Sequence, residues 1–154
     1  MKGQKILFVV LVFLCNSLFS QNNNDSLNIK KIEFLHSFYS EYFIAASRDL
    51  PDFSKIDSLQ SHYCTTELYN KLLYLYDAEE IDADPFLESQ DPQKEWVESL
   101  LINVDDQDNS LFIITYKVNE QKTNQIQLRV IEVAKNNFKI SSIVSIENQP
   151  YQQK

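Results

Sequence analysis

Glycine occurs once in 154 residues, at Gly3, and that scarcity restricts the fold more than any other feature of the chain. Glycine supplies positive φ and close backbone approach without steric cost. Beyond position 3 there is no material for a phosphate-cradling loop, a dinucleotide fingerprint, a nucleophile elbow or a standard EF-hand loop. Turns must instead use Asn and Asp, which tolerate the left-handed region best among the remaining residues. Polar clusters suited to that task stand at 105–109, 119–124 and 136–137.

The first twenty residues have a different purpose. Lys2 and Lys5 precede an unbroken apolar run over 6–14, and a polar stretch follows with a small residue at Ser20. This is the pattern of a secretory signal peptide, residues 1–20, and the run is too short to span a bilayer. Cleavage is expected between Ser20 and Gln21, which places the mature chain in the periplasm or outside the cell. Cys15 would be the attachment point in a lipoprotein signal, but Phe13 and Leu14 are larger than that processing wants. Membrane attachment is expected only if Cys15 is lipidated.

Loss of Lys2 and Lys5 takes the formal charge from −8 to about −10 over 21–154. An acidic surface of that size opposes phosphate backbones and anionic lipid, so nucleic acid and membrane partners are disfavoured and a basic protein is favoured. Cleavage also leaves Cys64 as the one cysteine, so the exported chain has no intramolecular disulfide and stands on its core. In its apolar helical context Cys64 reads as a small buried hydrophobe.

Residues 21–26 read as a tether, 27–149 as a single domain and 150–154 as a tail. Ile32, Leu35, Tyr39, Tyr42, Phe43 and Ala46 recur at three-to-four spacing and predict one long amphipathic helix over 27–48, ended by Pro51. A second helix is predicted over 54–61 and a third over 67–76, capped by Thr65 or Thr66. Residues 77–93 are acidic, carry Pro85 and Pro92, and predict an ordered loop. Four strands are predicted at 98–104, 111–119, 125–135 and 138–147, with turns short enough to require an antiparallel meander. In the second, Phe112, Ile114, Tyr116 and Val118 share a face. In the third, alternation through Ile126, Leu128 and Val130 changes phase to Ile131 and Val133, the mark of a β-bulge. The class is α+β: a long helix and two short ones packed on a curved four-stranded antiparallel sheet.

That order of elements resembles the nuclear-transport-factor-like (cystatin-like) cone. The segment Tyr63, Cys64, Thr65 with Leu68, then 82–87, Gln90, Asp91 and Trp96, resembles a family of small exported bacterial proteins of unknown function. The resemblance implies a fold and an extracytoplasmic location, and carries no activity to transfer.

Asp82, Asp84, Glu88 and Asp91 lie within ten residues, stiffened by Pro85 and anchored by Phe86 and Leu87. Hard oxygen ligands at short spacing suit Ca²⁺, but a loop glycine and a dense acidic register are missing, so no metal is assigned. Asp84 and Asp91 each precede proline and suit turn capping; as a group the four acids are the candidate contact for a basic partner. Tyr39, Phe43, Trp96 and Tyr116 are candidates to line a pocket between helix and sheet. The many phenols, with Asp82 or Asp84 as base, would permit acid–base chemistry. His62 and Cys64 stand two apart and point away from each other on a helix, and a pairing of Cys64 with His36 would need tertiary contact. No catalytic set or cofactor site is recognised. The expected function is an exported, non-enzymatic binding module, such as an inhibitor or immunity-type protein for a basic envelope partner. A small-ligand pocket protein or an acid–base enzyme of the same fold is the alternative. Oligomeric state is open.

Overall fold

The computed structural model describes residues 3–47 and 51–149, with side chains from residue 25 onward. Arg48, the last residue of the predicted first helix, and the 150–154 tail lie outside the described residues. Three α-helices come first: α1 (Gly3–Ala46), α2 (Phe53–Tyr63) and α3 (Thr66–Asp77). Four strands follow: β1 (Leu101–Val104), β2 (Leu111–Lys117), β3 (Thr123–Ala134) and β4 (Asn137–Ile143). They form one open antiparallel sheet in the order β1-β2-β3-β4, the α+β meander that the pattern predicts.

α1 is longer than its periodicity implies. It runs unbroken through 21–26, read as a tether, because no proline or glycine interrupts the chain between Gly3 and its end. Among the described residues no helix is long and apolar enough to cross a membrane. The inward face carries Leu35, Phe38, Tyr39, Tyr42 and Phe43, all fully buried. One turn earlier Lys31 is also buried, its ammonium 5.8 Å from the Phe112 ring centroid. Burial draws that lysine below its ordinary pKa, against the pull of Glu132 and Asp108.

The short helices start at side-chain caps. Asp52 Oδ1 accepts the Lys55 amide at 3.0 Å, so α2 begins at Phe53, one residue before the predicted opening, and Thr65 Oγ1 accepts the Leu68 amide at 3.2 Å. α3 closes in the double hydrogen-bond pattern that usually ends on glycine: Glu79 N donates to Tyr76 O and Glu80 N to Leu75 O. Glu79 itself holds φ 53°. Glu88 (φ 45°) and Asn136 (φ 58°) are likewise left-handed, so two glutamates take positions expected of Asn or Asp. Each such residue costs about 1–2 kcal/mol that glycine would not.

The sheet differs from expectation at its ends. Residues 94–99 form a 3-10 turn, so β1 begins at Leu101 and not at 98; a second such turn, Val144–Ile146, ends β4 early. Phe112, Ile114 and Tyr116 of β2 face inward as alternation requires. Register shifts at Arg129/Val130 and Glu132/Ala134 place the bulge in β3. The phase change does not bury the residues after it: Ile131 and Val133 are 39% and 49% exposed. At the other edge Thr65 N donates to Ile140 O at 2.8 Å, so the α2–α3 junction covers β4. Cys64 is buried there, and burial pushes its thiol up to about 12.

Candidate functional site

The 81–92 loop is tied to the core at three residues. Phe86 is fully buried with its ring 5.0 Å from Phe38 and 5.3 Å from Tyr42. Leu87 is fully buried too, and its carbonyl accepts from the Tyr116 hydroxyl and from Asn124 Nδ2. Asp84 forms the third tie. Its Oδ1 accepts the Phe86 amide at 2.8 Å, its Oδ2 accepts the Tyr42 hydroxyl at 2.6 Å, and its carbonyl accepts the amides of Leu87 and Glu88. The first bond is the Asx turn that an aspartate before proline favours.

Asp84 is the electrostatically unusual group. It keeps part of its surface in solvent, but its carboxyl is enclosed, and that burial raises its pKa from 3.8 to about 6. The bonds from Tyr42, Phe86 and Leu87 pull the other way and limit the rise. Tyr42 is pushed well above its ordinary value by burial and by the Asp84 charge, while Gln60 Nε2 donates to its hydroxyl at 2.8 Å. Tyr76 is also raised by burial and Asp84, with Gln60 acting against the shift. The buried α2 amide of Gln60 thus couples phenols from α1 and α3 to one carboxylate.

This group opens into a cleft of about 690 Å³ between α2, α3 and the loop. Its walls are apolar: Phe53 and Ile56 from α2, Leu73 and Tyr76 from α3, and Pro51 and Ile81 from the flanking chain. Phe53 is 73% exposed, a large ring left mostly in water. The charged residues that line it are Asp57, Asp82 and Asp84, with no basic side chain among the described ones. Apolar walls with a few convergent polar groups are the usual make-up of a ligand site. A second groove of about 750 Å³, between α1 and the β3–β4 turn, includes Lys30, His62 and Lys139 and is more polar and more open.

The acidic candidates separate. Asp82 and Asp84 line the cleft; Glu88 is exposed, and burial of its surroundings raises its pKa somewhat. Asp91 is exposed beside a different surface hollow, with Lys94 and Glu95. The four aromatic candidates stay together as a packed cluster. Trp96 stacks on Tyr116 at 5.3 Å, Phe43 meets both edge-on, Tyr39 lies 6.0 Å from Phe43, and none of the four lines the cleft. The Tyr39 hydroxyl and Trp96 Nε1 are buried there without hydrogen-bond partners. His36 is exposed and bonded to Ser40, His62 is exposed against Tyr63, and neither approaches the buried Cys64 as a partner. Among the described residues no group of three or more His, Cys, Asp or Glu could hold a metal ion.

Phe53, Asp57, Gln60 and Leu73 were not singled out from the sequence. The signal for Leu73 was present, a large apolar residue off the Leu68, Leu72 and Leu75 stripe of α3, whereas Phe53 stands three before Ile56 and reads as one more member of the α2 stripe. Nothing local marks Gln60, whose role depends on two tyrosines from other helices.

A scan against protein-family models and a search of curated proteins find no match. Among solved structures, the chain is similar to a protein of unknown function from Bacteroides thetaiotaomicron VPI-5482, with a TM-score of 0.66 and 23% identity. The likeness covers 81% of this chain and 98% of that one. At that identity it speaks for a shared fold.

Proposed function

We propose that this chain is an exported, non-enzymatic binding module, and that a basic protein of the cell envelope is its partner. The observation that carries the reading is the cleft between α2, α3 and the 81–92 loop, with apolar walls and carboxylates as its charged groups. The surrounding charge agrees, since an excess of about ten acidic groups over 21–154 speeds encounter with a cation and discourages nucleic acid. The apolar leader at 6–14 supports the periplasm or the exterior as location. A long helix against an open four-stranded meander supports the nuclear-transport-factor-like (cystatin-like) cone as the fold. An inhibitor or immunity-type role is the form that such charge complementarity would take.

The acid–base alternative has one observation in its favour: Asp84, raised to about 6, meets Tyr42 at 2.6 Å beside the cleft. Against it, both oxygens of Asp84 already accept hydrogen bonds and no histidine lines the cleft. The binding reading is therefore preferred. Its test is affinity capture from envelope extract of the protein's own cells, at low and high salt. One stoichiometric partner that is released by salt, and lost with Asp82→Lys in the cleft, supports it. Capture of no partner at either salt, or equal capture by the variant, overturns it.

A further inference from the structure

We infer that the cleft seats a lysine side chain of the partner between apolar neighbours, with its stem along Phe53 and Leu73 and its ammonium at Asp84. The inference rests on the binding-module reading and names the chemistry of its contact.

Three features select this occupant. The walls offer apolar surface from two helices at once, and an exposed Phe53 ring gains by being covered. The described charges of the cleft are all negative, so a carboxylate or phosphate would be repelled and a cation drawn in between low-dielectric walls. Finally, Asp84 has acceptor capacity to spare. Donors from Tyr42, Phe86 and Leu87 reach the carboxyl, and an ionised carboxylate has about four lone-pair sites. An ammonium is compact and carries three donors, and a flexible four-carbon stem lets it reach such a recessed group. A wholly apolar segment would cover Phe53 but leave the enclosed carboxylate uncompensated. A lysine side chain satisfies both demands, and a cleft of about 690 Å³ has room for the apolar residues beside it.

Binding should then follow the ionisation of Asp84. Its charge reaches Tyr39 and Tyr42 from α1, Tyr76 from α3 and Tyr116 from β2, and Glu88 of its own loop donates its amide to the Asp84 carbonyl. Asp57 of α2 and Asp82 share the cleft. The four phenols are all raised and stay neutral near pH 7, and no histidine lines the cleft. As pH falls through about 6 the Asp84 carboxylate takes up its proton, and the seat loses its charge.

The experiment is an NMR titration of the protein, purified from cells that export it, with acetyl-Leu-Lys-Leu-amide. The same peptide with norleucine for lysine, and hexylamine, serve as the other arms. The lysine peptide should shift the amides of Phe53, Tyr76 and Ser89. It should bind about tenfold tighter than the norleucine peptide, a ratio typical of one charge-assisted hydrogen bond. That preference should vanish in Asp84→Asn, survive in Asp91→Asn, which lies outside the cleft, and shrink about tenfold in unmodified protein between pH 7 and pH 5. The pH arm needs no variant and stands if Asp84→Asn does not fold. Equal binding of the two peptides, a preference that ignores pH, shifts with hexylamine alone, or no shifts at all would each overturn the inference. Failure of envelope capture with a positive titration removes the envelope partner and leaves the lysine seat; the reverse result removes the seat and leaves the module.

Discussion

Replacement of Asp84 by asparagine should stabilise the protein at neutral pH and leave it unchanged in acid. The carboxyl titrates near 3.8 when free and at about 6 in the fold, so the folded chain holds its proton over a range in which the unfolded chain has lost it. Where the folded state binds more protons, stability falls as pH rises. The contribution of this group is therefore complete below the unfolded value and is lost as pH climbs through about 6. The distance between the two values corresponds to about 3 kcal/mol at full ionisation. Asparagine is nearly isosteric and keeps an oxygen to accept the Tyr42 hydroxyl or the Phe86 amide, so it approximates the protonated acid. Urea unfolding followed by the fluorescence of Trp96, the one tryptophan, reads the transition from inside the aromatic cluster. Near pH 4 the variant should lead by no more than about 0.5 kcal/mol, and at pH 7.5 by about 3 kcal/mol. Because the comparison is a difference, titration of distant groups such as Asp108, held low by Ser110 and Arg129, cancels. A gap that stays constant from about pH 4 to about pH 7.5 would refute the reasoning, since it would show that the carboxyl is not enclosed.

Phe86→Ala should cost about 3–5 kcal/mol, because the ring is fully buried between Phe38 and Tyr42 and its loss leaves a cavity; a urea midpoint implying less than about 1 kcal/mol would show the loop is held elsewhere. Glu79→Gly should raise stability by about 0.5–1 kcal/mol, the left-handed penalty less the entropy that glycine adds to the unfolded chain. A lower melting temperature for that variant would contradict it. Cys64 should resist iodoacetamide at pH 8 in the folded protein and react fully in urea, as mapped by mass spectrometry of its peptide, since its thiol is buried and raised to about 12. The exported protein should begin at Gln21 in intact-mass analysis, whereas a lipidated N-terminus at Cys15 would contradict the predicted cleavage.

Much of the architecture is legible along the chain because it depends on spacing within single segments. The aromatic recurrence from Leu35 to Ala46 determines the buried face of α1, Thr65 starts α3, and the alternation of Phe112, Ile114 and Tyr116 orients β2. The break in period near Val130 announces a bulge before any partner strand is known. Period and capping are properties of neighbouring residues, so sequence determines them. Tertiary structure decided what those faces meet. It buried Tyr39, Phe43, Trp96 and Tyr116 against one another, left Ile131 and Val133 in water, and turned Asp84 alone of its acidic group toward Tyr42. It also set Phe53, Gln60 and Leu73 around that carboxylate from two helices. Enclosure of a carboxyl is a sum over side chains far apart in the chain, Tyr42 and Asp84 being 42 residues apart. Only the packed molecule brings that sum to one place, and there it sets the charge of the cleft.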